Sequence, residues 1–407
     1  MANIEPNLGD ETPDESRDAS PLLPGAHVGK GRSDPKTTFA TGKESADEGL
    51  LHHLMGFRSL LSLWILADHF IHRASVFTDR ANVAVDCFII MSGFVTQWAY
   101  GARALSSRGQ VAQFLARRVG RVLLTTYVAM LVATLVMAVQ ARPPGAEHMA
   151  RCMLFVESWL HPQNWCPNGQ TWTIAALLPS WLLYPLSKQL LATLEAKRGS
   201  SGLLLLLLGL WTASLLPSLL VFALQGGWMS VRQHNFSYVW PPSQLADFAI
   251  GMVAAALARR HGAEGARLRG LLADTSLALV FAAVLFVPSS GYHEGWEPLF
   301  NHALAPALAA FFYGSSAAGG SGLAAAALGV GPLARVGKYS FEVFLFQQPL
   351  FSIFEVMWIG GLNEVMPKWS LAVMFLFTLY TLSALYAEFV EAPIVHRLRV
   401  ATAGWGE

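Results

Sequence analysis

The chain has 407 residues, 53% of them hydrophobic and only 14% charged, against a charged fraction of about 25% in soluble domains. Its net charge is +1 and it has three cysteines, which excludes a disulfide scaffold and, with no basic stripe interleaved with aromatics, a nucleic-acid binder. The composition, with a mean hydropathy of +0.41, fits an all-α polytopic membrane helix bundle.

Residues 1–50 hold 15 of the 55 charged residues and are rich in Asp, Glu, Ser, Pro and Gly, so a disordered tail is expected there. Within it Asp18-Ala19-Ser20-Pro21-Leu22-Leu23 fits the acidic dileucine pattern that sorting adaptors read in cytosolic tails; an inert tail is the alternative. No positive segment leading into an apolar run opens the chain, so no cleavable signal peptide is expected. Residues 51–400 are expected to form the membrane domain.

A spanning helix needs about 20 mostly apolar residues. Ten segments qualify, at 54–72, 83–101, 119–140, 171–191, 202–225, 243–258, 270–288, 300–318, 337–359 and 369–391. The first carries Arg58, Asp68 and His69. Ionisable groups inside a bilayer are costly and raise a functional question. Arg58 and His69 are 11 residues apart, which leaves about 20° of helical rotation, so they share one face roughly 16 Å apart along the axis. A ligand lying on that face could touch both; a snorkelling arginine with a hydrogen-bonded interfacial histidine is the other reading. Asp68 points about 100° away from His69 and is not paired with it.

The second segment holds Asp86, Cys87 and Ser92-Gly93. Asp86 could orient an imidazole as in a His–Asp couple, or be a charge at a helix start. Cys87 reads as core, and Ser92-Gly93 as a close-packing site or part of an acceptor cavity. At the start of the third segment Arg117, Arg118 and Arg121 suit phosphate recognition, although the positive-inside bias alone would place arginines there. Cys152 and Cys166 follow in one inter-helix segment. They could form a bridge, but spacing alone does not show that the thiols meet.

A six-leucine run at 203–208 makes the fifth segment the plainest lipid-facing helix. Asp247 in the short sixth segment, and Gln347 and Gln348 in the ninth, could line an acceptor cavity or satisfy one another; Glu391 beside Pro393 reads as structural. His293, Glu297 and His302 sit in one segment but match no metal-ligand spacing. No metal and no permanently bound cofactor are expected.

Charge tests the topology. With a cytosolic tail, ten helices put 16 Lys and Arg in the inner segments and six in the outer ones, the bias expected when both termini are cytosolic. Cys152 and Cys166 then lie on the oxidising side. Trp159, Trp165, Trp172, Trp228, Trp240, Trp296 and Trp369 fall at outer helix ends, as an aromatic belt does.

Several motifs now join in order. Arg58 followed after ten residues by His69-Phe70 resembles the Arg-(ten residues)-His-Phe helix of the acyltransferase-3 family, membrane O-acyltransferases typified by bacterial polysaccharide O-acetylases. Val85-Asp86-Cys87-Phe88 through Ser92-Gly93-Phe94 is similar to that family's VDxFFxxSGF helix, and Phe114 to Arg121 to its FLxRRxxR segment. Weaker likenesses follow at Trp172 with Tyr184-Pro185, Phe248 to Met252, Gly337 to Pro349, and Phe389 to Pro393. Two departures stand out. The acid that usually follows the Trp of the fourth helix is missing after Trp172, and Gln347-Gln348 stands where a His usually precedes the ninth-helix proline.

The resemblance implies a plasma-membrane or endomembrane acyltransferase. It would move an acetyl or other short acyl group from cytosolic acyl-CoA, a co-substrate, to a hydroxyl of a glycan, a lipid or a small metabolite. It assigns the general base to His69, whose side-chain type titrates near neutrality. It implies CoA phosphate binding by Arg117, Arg118 and Arg121, with Arg58 on the CoA or the acyl carbonyl. A non-enzymatic carrier or sensor, or an inactive homologue, is the alternative that the two departures leave open.

Overall fold

The computed structural model describes residues 52–71, 77–290, 295–357 and 367–406; the tail with Asp18, Leu22 and Leu23, and also His293, lies outside the described residues. Among the described residues every regular element is helical and there is no strand. Helix α1 is His52–Ile71 and α2 is Asn82–Tyr100, entered through a 3₁₀ turn at Thr78–Arg80. Helix α3, Arg108–Val139, starts at a capping box: Ser107 Oγ accepts from the Gln110 amide at 3.1 Å, and Gln110 Oε1 accepts from the Ser107 amide at 3.2 Å. Two backbone donors at a helix start are thereby satisfied reciprocally. Short helices α4 (Ala146–Met153) and α5 (Glu157–Leu160) follow.

Thr171–Leu224, α6, is a run of 54 residues broken at Gly199, whose φ of 59° and ψ of −149° belong to a region open essentially to glycine alone. One glycine thus turns a single apolar run into two helices, matching the two segments expected at 171–191 and 202–225. The remaining helices are α7 (Val231–Tyr238), α8 (Leu245–His261), α9 (Ala266–Phe286), α10 (Glu297–Ala303), α11 (Ala305–Ser315), α12 (Leu323–Leu328), α13 (Gly331–Gly337), α14 (Ser340–Met357), α15 (Lys368–Tyr386) and α16 (Ala392–Ala401), with a π-turn at Ala387–Glu391 between the last two.

Among the described residues, five helical stretches are long and apolar enough to cross a membrane: Thr78–Tyr100, Arg108–Val139, Thr171–Leu224, Ala266–Phe286 and Trp369–Trp405. They take up six of the ten expected segments. The other four fall on α1, α8, α11 and α14, which are shorter or more polar. Helix α8 has only 17 residues, and it is buried by protein from Ile250 to Ala258. Helix α11 has only 11 residues.

Helices α2 and α8 pack closely through two glycines. A Cβ built on Gly93 would stand 1.9 Å from the Phe248 carbonyl oxygen, and one on Gly251 would stand 1.9 Å from that of Ile90. The two glycines let the backbones touch, as small residues do between membrane helices. Nearby, Arg80 is buried, pairs with Glu297 at 3.0 Å and donates to the carbonyls of Val284, Val287 and Pro288. It therefore terminates α9 and fixes α10 against it by satisfying the carbonyls that a helix end leaves open.

Cys152 and Cys166 are joined in a disulfide, with Cα atoms 5.7 Å apart. The bridge ties α4 to the stretch before α6. Glu157 in the same segment takes Arg151 Nε at 2.5 Å, Asn164 Nδ2 at 3.2 Å and the His148 ring at 3.3 Å, and Arg151 also reaches Glu147. Burial opposes ionisation of the Glu157 carboxyl, but the hydrogen bonds from Arg151 and Asn164 and the charge of His148 outweigh it and hold its pKa below the ordinary 4.5. A carboxylate with a depressed folded pKa lends stability that is complete above its unfolded value and is lost as pH falls through the folded one. Protection factors of the amides over residues 146–170, exchange rates corrected for the intrinsic pH dependence, are therefore expected to fall below about pH 4.5 in wild type, and to be already low at pH 6 in Glu157→Gln.

Candidate active site

A cavity of about 540 Å³ opens beside the C-terminal part of α1. Its wall includes Asp68 and His69, Asn82 and Val85 at the start of α2, Trp165, Gly169, Gln170 and Trp172 before and in α6, His234, Asn235 and Tyr238 of α7, and Gln347 and Gln348 of α14. Aromatic rings and planar amides thus line the wall together with two histidines, His69 and His234.

The His69 ring is held by Gln347. Nδ1 lies 3.1 Å from Gln347 Oε1, while Gln347 Nε2 donates to the Phe344 carbonyl at 2.9 Å. Because the amide nitrogen is engaged by a carbonyl, the amide oxygen is the atom facing the imidazole, so Nδ1 must carry the proton. The neutral ring then has its lone pair on Nε2, the form a general base requires. A glutamine noted from sequence as a departure thus does the orienting. Gln348 turns the other way and accepts from the Gly169 amide at 2.8 Å, pinning the loop before α6 to α14.

Asp86 does not serve His69. Its Oδ1 accepts from Tyr238 Oη at 2.6 Å, and it lies in a buried group with Asp247 and His302 in which one donor atom of each residue is within 4.8 Å of the others. The orienting position that the sequence suggested for Asp86 belongs to Gln347, because α14, not the start of α2, faces Nδ1. Asp247 accepts from His302 Nδ1 at 2.9 Å and stands behind the cavity wall.

Arg58, on the same face of α1 as His69, donates to Ser340 Oγ at 2.9 Å at the other end of α14. One helix therefore answers both residues. Arg58 is also within electrostatic reach of Arg121, Glu342 and Glu391. The three arginines of α3 separate. Arg118 donates to Ser92 Oγ at 3.1 Å and lies over the Trp181 ring. Arg121 pairs with Glu391 at 2.5 Å and with Glu342 at 3.7 Å. Arg117 turns to the C-terminal end, donating to Thr402 Oγ1 at 2.9 Å and the Arg399 carbonyl at 3.2 Å. Arg118 and Arg121 thus join Arg58 in one charged group, and Arg117 does not.

Ser92 meets Arg118 and Trp181 and is not in the cavity wall, so of its two readings the structure favours close packing. The sequence missed Glu342, which is fully buried beside Glu391. The π-turn that carries Glu391 directs its carboxylate to Arg121 and to Thr125, whose hydroxyl it meets at 2.6 Å; π-turns inside helices recur at functional sites.

A family model described as an acyltransferase domain, the acyltransferase-3 model, matches residues 52–388. The chain belongs to the acyltransferase-3 family. No curated protein and no solved structure matches. The matched residues include His69 and the cavity around it, and also Arg58, Arg118, Arg121 and Glu342, while Glu391 lies just past their end. If Gln347 sets the His69 tautomer, Gln347→Leu is expected to lower turnover about 10–100-fold, the equivalent of one hydrogen bond of about 1–3 kcal/mol. Gln347→Glu, which keeps an acceptor, is expected to lose less. Steady-state rates over a pH series check this, since only a role in orienting the base shifts the acidic limb of the profile.

Proposed function

We propose that the protein is an integral-membrane O-acyltransferase that moves an acyl group, acetyl or another short chain, from acyl-CoA to a hydroxyl of a glycan, a lipid or a small metabolite. The observation that carries this is His69 in the cavity wall with Nδ1 committed to Gln347. The acceptor hydroxyl gives its proton to His69 Nε2 as its oxygen attacks the thioester carbonyl. The tetrahedral intermediate then collapses, the carbon–sulfur bond breaks, and the CoA thiolate leaves and takes up the proton. Arg58, Arg118 and Arg121 outnumber Glu342 and Glu391 in charge, which supports a role in receiving an anionic donor. The donor's arm follows the seam between α1 and α14 toward His69.

The Lys and Arg bias favours an orientation with both termini cytosolic and ten membrane crossings. The short helices α8 and α11 are then inner crossings shielded by their neighbours. CoA meets the protein from the cytosolic side.

The test uses membranes containing the full-length protein and acyl-CoAs of several chain lengths labelled in the acyl group. Base-labile label is expected in a lipid, glycan or metabolite fraction, with a preference for short chains. Absence of label with every donor, together with failure of CoA to raise the melting temperature of the purified protein, points instead to a carrier or an inactive homologue.

A further inference from the structure

Behind the cavity wall, Asp86 of α2, Asp247 of α8 and His302 of α10 meet with side chains 1%, 0% and 0% exposed. One donor atom from each lies within 4.8 Å of the other two. Each residue spends one polar atom on a neighbour. Asp86 Oδ1 takes the Tyr238 hydroxyl at 2.6 Å, and Asp247 Oδ2 takes His302 Nδ1 at 2.9 Å. Each also keeps one buried atom with no hydrogen-bond partner: Asp86 Oδ2, Asp247 Oδ1 and His302 Nε2. Buried polar atoms are nearly always satisfied, and three unsatisfied ones within a single buried cluster are accounted for by a bound ligand.

We infer that these three residues form a binding site for a single divalent metal ion. Charge supports it. With the ion bound, two carboxylates and a neutral imidazole would supply two negative charges, which one divalent ion cancels in a low-dielectric setting. The histidine supports it too. A ring that donates one N–H to a carboxylate and offers its other nitrogen is the usual arrangement of a metal-bound imidazole, because the carboxylate fixes its tautomer and orientation. Tyr238 does the same for Asp86. The donor set of two carboxylates and one imidazole suits Mn²⁺ or Zn²⁺ better than Ca²⁺, which prefers six or more oxygens.

The site lies outside the reaction proposed for His69. Its link to that reaction is Tyr238, which bonds Asp86 and also lines the cavity. An ion here clamps α2, α8 and α10 together and holds that wall in place. Sequence spacing could not reveal it, because the ligands come from three distant helices.

The experiment uses tag-free full-length protein purified in detergent, stripped with chelator, and then dialysed against Mn²⁺ or Zn²⁺ and washed. Elemental analysis is expected to give about one ion per chain in wild type, and at least tenfold less in Asp247→Asn and in His302→Gln. Because either variant could fold poorly, a second arm needs only the stripped wild type. Its melting temperature is expected to rise with added Mn²⁺ or Zn²⁺ in a saturable way, and Mn²⁺ bound there is expected to give the paramagnetic resonance of a site with nitrogen and oxygen ligands. Wild type that retains no ion and shows no thermal shift overturns the inference. So does ion content that is the same in wild type and both variants, which would place the ion elsewhere.

Discussion

Replacing His69 with alanine is expected to lower acyl transfer by about 10²–10⁴-fold, the usual contribution of a positioned general base, while folded protein stays near wild-type abundance. The two parts have separate physical grounds. His69 projects from α1 as an exposed side chain at a cavity wall, so its removal enlarges a polar opening and leaves no dry void in a packed core. The contrast is Trp64, 6% exposed on the same helix, with its ring 4.5 Å from that of Phe77; truncating it would cost about 3–5 kcal/mol. Transfer measured with labelled acyl-CoA in membranes, normalised to protein that elutes as a single species in detergent, separates the two effects. Added imidazole is expected to restore part of the activity of His69→Ala, because a small base can occupy the vacated site. Full transfer by the alanine variant at equal abundance would sink the base role.

The helices were legible because apolar runs of spanning length are hard to mistake. Even the break in α6 falls between two of the runs, at a residue whose backbone angles only glycine accepts. The pairing of Arg58 and His69 was legible for a similar reason: 11 residues bring a helix back to the same face, and the facing residues, Ser340 and Gln347, lie on one helix. The identity of those facing residues was not legible. Gln347 looked like a loss, because a sequence shows that a histidine is missing but not that an amide with its nitrogen occupied can select the tautomer of another histidine. Arg117, Arg118 and Arg121 looked like one patch, and helical phase alone would group Arg117 with Arg121, about 40° away; what separates them is the set of partners, Thr402 for Arg117 and Glu391 for Arg121. Asp86, Asp247 and His302 had no pattern to betray them, since their contact depends on how three helices pack. The sixth segment falls on α8, a short helix that carries Asp247 and is buried by protein from Ile250 to Ala258.

Gly93→Ala and Gly251→Ala are each expected to reduce folded protein severely. The Cβ of either alanine would stand 1.9 Å from a carbonyl oxygen of the opposite helix, far inside van der Waals contact, and the atom in the way is backbone, which cannot rotate aside. Overpacking of a rigid core costs about 1–3 kcal/mol and occasionally more; with no rotamer to relieve it, these sites belong at or above that upper end, a large share of a total stability of about 5–15 kcal/mol. The control is Gly209→Ala in the leucine-rich half of α6, where a new Cβ meets nothing within 4 Å and alanine improves helix propensity by about 1 kcal/mol. Thermal unfolding followed by size-exclusion elution in detergent ranks the three variants, and a Gly93→Ala protein as stable as Gly209→Ala would refute the packing account. The double variant sharpens it. Both alanines push the same two helices apart, so the second should cost less once the first has opened the gap, and the double loss should fall short of the sum. If the losses add instead, the two glycines act at independent contacts.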